Sequence, residues 1–246
     1  MMTDYPQNVQ KEFYNKHHPS YLEYKKNIPY AKYLVGILLS ALSGPKNHIL
    51  EAGSGQGRFT FELSKHVGNL TAIDIAGNEI KLLNKFRRKF GNKNIITIVG
   101  DLLKINKICE KNKYDHIAGF FILHHLPKER LNVVVNNLLP LLNKGGRMSF
   151  IEPNNLYPFH AVQWIVEKDM NWNIEKGIYT NFIGRFKKAC LKKGCRIILS
   201  RKFGFMPPFL INSMPSVIYI DKLLEKIPLI NQIFCPFIIL SVEKSV

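Results

Sequence analysis

The stretch ILEAGSGQG at residues 49–57 restricts the fold of this chain more than any other part of it. A short apolar run predicts a buried strand, and three glycines at alternate positions predict a turn whose backbone lies close to a ligand. Phe59, Leu63 and Val67 then recur at four-residue spacing, which is typical of a helix. A strand, turn and helix in this order predict free backbone N–H groups and a helix N-terminus at one point.

Two details of this stretch separate it from a dinucleotide-binding turn. That turn needs a third glycine one position later, where this chain has Arg58. Glu51 stands two residues before Gly53, and a carboxylate there suits a cation better than a pyrophosphate. The pattern resembles the E/D-x-G-x-G-x-G motif of the class I methyltransferases that use S-adenosyl-L-methionine (SAM), a ligand with a sulfonium and an ammonium. A tight glycine turn without a ligand is the structural alternative.

Apolar segments alternate with helical periodicity through the rest of the chain. This alternation predicts an α/β fold, in which a parallel sheet is covered by helices on both faces. With the resemblance, it predicts a Rossmann-like, seven-stranded, mostly parallel sheet. The predicted strands after the first cover residues 70–75, 95–99, 114–123, 147–152, 195–199 and 237–242.

Two parts are predicted along the chain: an N-terminal helical cap over residues 1–45 and a SAM-binding core over 46–246. The core carries insertions at 154–178 and 204–235, after the fifth and sixth strands. A helical stripe begins at Pro29, and in the resembled family such an extension folds over the SAM site as a lid. Tyr14 and His18 then either face the cofactor or pack at the surface.

Acidic residues follow the second and third strands. Ligands bind at the carboxyl ends of parallel strands, where Asp74 and Asp101 are expected to lie. The resemblance implies that Asp74 accepts the ribose hydroxyls and that Asp101 accepts the adenine amino group; Asp101 could instead cap a helix. The resemblance implies that SAM, or its product S-adenosyl-L-homocysteine, contacts Glu51, Gly53, Ser54, Gly55, Gly57, Asp74, Ile75, Asp101, Leu102 and Phe121. No metal site is predicted.

The run GFFILHHLP at residues 119–127 is similar to the corresponding part of small-molecule methyltransferases, including those of ubiquinone and menaquinone biosynthesis. Methyl transfer to a hydroxyl acceptor requires positioning and removal of a proton. His124 and His125 are the candidate bases because imidazole titrates near neutrality. They could instead only shape the cofactor pocket. Glu152 is a weaker candidate for the base or for substrate binding.

The charge of the chain raises a second enzymatic interpretation. The sequence has 35 Lys and Arg against 18 Asp and Glu, a net charge of +17, which could serve RNA, an anionic membrane or only solvated helix faces. The Asp/Asn-Pro-Pro-aromatic turn of adenine methyltransferases and the cysteine nucleophiles of RNA cytosine-C5 methyltransferases do not occur after the fourth strand. We therefore expect an enzyme that methylates a small-molecule or lipid-like acceptor without specific nucleic-acid binding. RNA methylation is the runner-up, and a non-catalytic or NAD-binding module of similar fold is the alternative.

The segment 204–235 is apolar and broken by prolines, although connections at this position are commonly short in the resembled fold. So much apolar surface needs a partner. It is expected either to pack on the N-terminal helix or in a homodimer, or to wall an acceptor pocket or rest on a membrane beside Lys222 and Lys226. The last two alternatives predict an isoprenoid-like, aromatic or acyl acceptor.

The expected location is cytoplasmic, with peripheral membrane contact as an alternative. No uninterrupted apolar run reaches the length of about 18 residues that a spanning helix needs, and the N-terminal residues do not read as a signal peptide. The four cysteines lack C-x-x-C spacing, so reduced thiols are expected.

Overall fold

The computed structural model describes residues 11–12, 28–158 and 176–245. Their core is one seven-stranded sheet in the order β3-β2-β1-β4-β5-β7-β6. All neighbouring strands run parallel except β7, which is antiparallel to both β5 and β6. The predicted seven-stranded, mostly parallel sheet is confirmed. The strands are β1 His48–Ala52, β2 Asn69–Asp74, β3 Ile95–Val99, β4 Tyr114–Phe120, β5 Leu142–Pro153, β6 Arg196–Phe203 and β7 Phe237–Glu243.

Helices cover both faces of the sheet. They are α1 Ile28–Ser40, α2 Thr60–Leu63, α3 Gly77–Phe90, α4 Leu131–Leu138, α5 Phe182–Lys192, α6 Pro208–Ser213, α7 Val217–Leu224 and α8 Pro228–Phe234. The apolar faces of α1, α2 and α3 share one hydrophobic cluster with α6 and the start of α7, whereas α4 and α5 belong to a second cluster. The prediction of helices on both faces is therefore confirmed. Tyr14, His18 and residues 159–175 lie outside the described residues.

The helix after the glycine turn is shorter than its spacing predicts. α2 ends at Leu63, a single 3₁₀ turn follows, and Val67 is already extended at φ −135° and ψ 155°. The chain has to turn here because the N–H of Gly68 donates to the Lys46 carbonyl (2.9 Å) and β2 starts at the next residue. A Cβ at Gly68 would lie 2.8 Å from the carbonyl oxygen of Asn47, so only glycine fits the turn.

The fourth strand ends three residues earlier than predicted. Phe121 has a φ of +56°, a left-handed conformation that is rare for an aromatic residue. Its N–H still donates to the Ile151 carbonyl at 2.8 Å, and a 3₁₀ turn then runs from Leu123 to His125. The histidine pair therefore lies on a turn beyond the strand.

The predicted boundaries on either side of β5 and at α5 also shift. Pro140 lies in a 3₁₀ turn that ends the helical run at Leu141, and β5 starts five residues before the predicted Arg147. Thr180 is a residue type that often caps a helix N-terminus. The cap is Asn181 instead, because its side chain accepts the N–H of Gly184 at 3.1 Å, while the Thr180 hydroxyl donates to a preceding carbonyl.

Helix α1 and the segment 204–235 are joined by buried polar contacts. The N–H of Tyr30 donates to the side-chain oxygen of Asn212 at 3.0 Å, and the hydroxyl of Tyr33 donates to Asp221 at 2.9 Å. The segment therefore packs on the N-terminal helix, which is one of the alternatives that the sequence left open. The lid function of residues 1–45 stays a prediction.

Two further observations concern environment. None of the helices in the described part of the chain is long and apolar enough to cross a bilayer. The four cysteines are free thiols, and all are buried: Cys109, Cys190, Cys195 and Cys235.

Candidate active site

The glycine turn after β1 requires glycine for two separate reasons. Gly53, Gly55 and Gly57 have φ values of +71°, +50° and +97°, which L side chains rarely adopt. A Cβ at Gly53 would lie 2.6 Å from Ile122, and a Cβ at Gly57 would lie 2.6 Å from the Phe61 ring. A Cβ at Gly55 would meet only one carboxylate oxygen, at 3.5 Å. The turn thus packs tightly at both ends and is open in the middle.

The N–H groups of this turn are not free, so that prediction is wrong. The N–H groups of Gly53 and Ser54 both donate to the Ile73 carbonyl, at 2.9 and 3.0 Å. The N–H of Gly55 donates to the Asp74 carboxylate at 2.9 Å. Helix α2 is only four residues long and adds no extended helix dipole. The turn therefore offers few donors to a pyrophosphate, which argues against the NAD alternative.

Three carboxylates surround the turn instead. Burial is the main cause that raises the pKa of Glu51 to about 8 and that of Glu79 to about 7. The nearby negative charge of Asp74 raises both values further, and burial also raises the pKa of Asp74 itself. In a chain of net charge +17, this point is locally acidic and suits a cation.

Glu79 was missed by the sequence-based reasoning. It lies in the first turn of α3, and the amide of Gln56 approaches it at 3.5 Å. The sequence does place an acidic residue at the start of the helix that follows β2. Because that helix begins beside the glycine turn, this residue could have been recognised as a candidate for the site. A capping role in the helix would have explained the same residue type.

Several buried polar atoms near the turn lack hydrogen-bond partners. These atoms are Glu51 Oε2, Ser54 Oγ and Thr60 Oγ1. The Thr60 hydroxyl lies near enough to the Glu51 carboxylate to oppose the rise of its pKa, but it does not reach Oε2 with hydrogen-bond geometry. Buried polar groups are normally paired, so such a group indicates a bound partner or strain. A ligand that brings a cationic amine and hydroxyl groups fits this set, because the carboxylate and hydroxyl oxygens can all accept from it.

The predicted adenine side of the site lies after β3. Asp101 accepts the N–H of Leu103 at 2.8 Å in a turn rather than at the start of an α-helix. The side chain of Leu102 is buried in the core, so its backbone is the part available to a ligand. Ile75 and Phe121 are half-buried at the ends of β2 and β4. The cofactor roles of all predicted residues stay predictions.

The Glu152 carboxylate fixes the turn that carries the two histidines. One oxygen accepts the N–H groups of Ile122 and Leu123, at 2.9 and 2.7 Å. The other lies 2.8 Å from Nδ1 of His124, and both side chains are buried. Glu152 is thus engaged in holding the turn, which leaves it poorly suited to act as the base.

The two histidines differ in exposure. His124 is buried, whereas His125 is half-buried, and their ring centroids lie 3.9 Å apart. The backbone of Gly177 packs so closely on the His124 carbonyl that a Cβ at Gly177 would lie 1.8 Å from it. Their predicted catalytic roles stay predictions.

Aromatic rings extend from the glycine turn to the start of β7. Phe59 stacks on Phe120 with the ring centroids 4.4 Å apart and lies 5.9 Å from Phe121. Phe237 continues the layer at 5.5 Å from Phe121 and 5.8 Å from Phe203. An apolar wall therefore adjoins the histidine turn. No group of three or more His, Cys, Asp or Glu side chains in the described ranges is arranged to hold a metal ion.

Residues 49–146 match the family described as a methyltransferase domain. The matched part is less than half of the chain. Over these residues the chain is similar to class I SAM-dependent methyltransferases. The match runs from Ile49 in β1 to Gly146 in β5. It therefore includes every predicted cofactor residue and both histidines.

Among related proteins, phosphoethanolamine N-methyltransferase 1 of Zea mays is 32% identical over 104 residues, which is 42% of this chain and 20% of that protein. A probable ribosomal RNA small subunit methyltransferase A of Methanosarcina barkeri is 39% identical over 75 residues, 30% of this chain and 25% of that protein. The aligned part thus spans only a fifth to a quarter of these relatives.

Solved structures extend the likeness to the whole fold. Geranyl diphosphate C-methyltransferase of Streptomyces coelicolor, in complex with Mg²⁺, geranyl diphosphate and S-adenosyl-L-homocysteine, superimposes with a TM-score of 0.66. The superposition covers 99% of this chain and 100% of that one, at 13% identity. The overall fold is therefore shared.

Proposed function

We propose that this protein transfers the methyl group of SAM to a small-molecule acceptor of apolar or aromatic character. The main support is the Glu51 carboxylate, which is buried at the end of β1 and has one oxygen without a hydrogen-bond partner. Its surroundings are acidic, although the protein as a whole is basic. When bound, SAM supplies an activated methyl group. Its ammonium and sulfonium fit the carboxylates, and its hydroxyl groups fit the remaining acceptors.

The residues of the chain have distinct tasks in this proposal. Glu51 and Asp74 hold the cationic and ribose parts of the cofactor, and the middle of the glycine turn gives the ligand access to the backbone. His124 is a positioning residue, since Glu152 holds its Nδ1 and thereby fixes the ring. His125, half-buried beside it, removes the proton from a hydroxyl acceptor.

The character of the acceptor follows from the aromatic layer around Phe121. The partly exposed rings of Phe121 and Phe237 form this wall next to the turn that carries the histidines, whereas Phe120 and Phe203 are buried in the core behind them. Such a wall favours an aromatic, isoprenoid-like or acyl group. The solved geranyl diphosphate methyltransferases share the fold, and their acceptor has an isoprenoid chain.

Replacement of Asp74 by alanine tests the cofactor site. Asp74 accepts the N–H groups of Gly55 and Ala76 and is proposed to accept the ribose hydroxyls. We expect SAM binding to weaken by about 1.5–3 kcal/mol, the range for charge-assisted hydrogen bonds. Isothermal titration calorimetry measures the change, and thermal unfolding shows whether the turn stays folded. Asp74→Asn is the matched variant, and unchanged SAM affinity in a folded Asp74→Ala protein contradicts the assignment.

The raised pKa of Glu51 predicts a pH dependence of SAM binding. With a pKa of about 8, the free carboxyl is protonated at pH 7, and a cationic ligand prefers the ionised form. SAM affinity should therefore rise between pH 6 and pH 8 and level off above, by at most about tenfold per pH unit for one proton. Glu51→Gln should remove the part of this rise that is centred near pH 8, whereas any part caused by Glu79, centred near pH 7, should remain.

Calorimetric titration of both proteins across this pH range provides the measurement. The amino group of the ligand titrates identically in the two experiments, so the difference between the proteins reports Glu51. An equally steep rise in the Glu51→Gln protein would assign the proton to another group and remove Glu51 from the site.

RNA methylation is the second candidate, favoured by the net charge of +17 and by the ribosomal RNA methyltransferase relative. Incubation with SAM labelled in its methyl group, in the presence of a lipid extract or of total RNA, separates the two. We expect label in the lipid or small-molecule fraction. Label confined to one RNA species at physiological salt supports the second candidate instead.

We further propose a cytoplasmic protein that contacts a membrane surface through residues 204–235. This contact would bring an apolar acceptor, which is concentrated in lipid, to the site. A homodimer through the same residues is the competing way to cover their apolar side chains.

A further inference from the structure

Helix α7 buries one of its charged side chains and exposes several of its apolar ones. Asp221 is fully buried, whereas Tyr219, Ile220 and Leu223 expose 73%, 51% and 63% of their surface. A helix on a soluble domain normally turns its apolar residues inward and its charged residues to water. The outer face of α7 is therefore apolar, although its inner face carries a carboxylate.

The two acidic side chains on the inner side, Asp221 and Glu225, form hydrogen bonds and an ion pair with other parts of the fold. One oxygen of Asp221 accepts the N–H groups of Phe205 and Met206, and the other accepts the Tyr33 hydroxyl. Glu225, one residue beyond α7, accepts the Gly204 N–H at 3.0 Å and pairs with Arg201 at 2.9 Å. These contacts fix the orientation of α7, so its apolar face is held outward.

The outward charges have one sign. Residues 204–235 contain two acidic and two basic side chains, and both acidic ones point inward. Lys222 and Lys226 are exposed, and neither forms an ion pair within the described part of the chain. The apolar surface also continues along the segment, at Phe209, Met214, Ile227 and Ile233. The outer side of the segment is thus apolar and basic.

We infer that this outer side, the exposed surface of α6, α7 and α8, docks on an anionic lipid bilayer. Apolar side chains beside lysines complement the acyl and headgroup layers of such a surface, and lipid binding strengthens with both terms. A second copy of the chain fits less well, because two such faces would bring their lysines together. The inference deepens the proposed membrane contact but does not depend on methyl transfer.

Sedimentation with vesicles tests the docking surface, using phosphatidylcholine alone or mixed with phosphatidylglycerol. We expect the full chain to bind the mixed vesicles and to be released by salt. Ile220→Ser with Leu223→Ser should weaken this binding by about tenfold or more, since both side chains lose their apolar surface. The matched control is Leu191→Ser with Val133→Ser, exposed positions on α5 and α4 at the other face of the sheet, which should bind like the unmodified protein.

A pair of charge-removing substitutions measures the electrostatic contribution to vesicle binding. Each lysine near an anionic surface contributes about 1 kcal/mol, so Lys222→Gln with Lys226→Gln should weaken binding to the mixed vesicles by about 25-fold. Lys192→Gln with Lys193→Gln, at the C-terminal end of α5, removes the same charge elsewhere and should have a smaller effect.

The outcomes are separable. Equal loss in test and control variants, or no binding of the unmodified chain to mixed vesicles, overturns the docking surface. A dimer in light scattering that dissociates in the Ile220→Ser, Leu223→Ser protein overturns it in favour of a second copy. SAM titration of the same proteins reports the cofactor site separately, so failure of docking and failure of the methyltransferase proposal are distinguishable.

Discussion

Replacement of Glu152 by alanine is expected to lower the free energy of unfolding by about 3–5 kcal/mol. The carboxylate is fully buried and accepts from the N–H groups of Ile122 and Leu123, with Nδ1 of His124 at its second oxygen. The alanine variant leaves these buried donors without an acceptor, and it also leaves a cavity between β4 and β5. Chemical denaturation at neutral pH measures the change.

Two variants control this experiment. Ser149→Ala lies in the same strand and loses only a hydroxyl contact with Ser241, so it should cost about 1 kcal/mol. Glu152→Gln keeps one acceptor oxygen and should fall between the two. If Glu152→Ala costs no more than Ser149→Ala, the carboxylate does not hold the turn, and Glu152 becomes available as a base. A folded Glu152→Ala protein should also lose methyl transfer more than SAM affinity.

Replacement of Asp221 by alanine is expected to have the second largest effect, a loss of about 3–4 kcal/mol in the free energy of unfolding. Its carboxylate is fully buried and accepts from Phe205, Met206 and the hydroxyl of Tyr33. Without it, two backbone donors lose their acceptor, and the Tyr33 hydroxyl of α1 keeps only its longer contact with Glu225, at 3.4 Å. Thermal and chemical denaturation measure the loss.

Tyr33→Phe is the matched control because it removes one donor and leaves the carboxylate on the two backbone N–H groups. It should cost about 1 kcal/mol. Equal costs for Tyr33→Phe and Asp221→Ala would show that the backbone contacts contribute little. The orientation of α7 would then depend on buried apolar side chains of the segment such as Ile211 and Val217.

The sheet could be predicted from the sequence because its signals are local. Ile95–Val99 is an uninterrupted β-branched run between polar residues, and it forms β3 without a shift at either end. The glycines at 53, 55 and 57 also indicated their turn, since no other residue adopts these conformations easily. Such features depend on one segment at a time.

Features that depend on distant partners could not be predicted. The N–H groups of the turn seemed free because their acceptor, the Ile73 carbonyl, belongs to another strand. Glu152 read as a possible base because its donors lie about thirty residues earlier in the chain. The buried position of Asp221 could not be predicted either, since only the fold brings Tyr33 to it. The early end of α2 could not be predicted for the same reason, because the pairing of β2 with β1 determines where α2 stops.

The antiparallel direction of β7 has a practical consequence for measurements on this protein. β7 begins beside Pro153 at the end of β5 and finishes beside Arg147, near the start of that strand. Lys244 is then tied there, because its N–H donates to the Gly146 carbonyl and its ammonium to that of Leu142. An affinity tag or dye attached after this point is at the amino-terminal end of the parallel strands. The glycine turn lies at the opposite, carboxyl-terminal end of these strands. Immobilisation through such a tag would keep the glycine turn facing the solution.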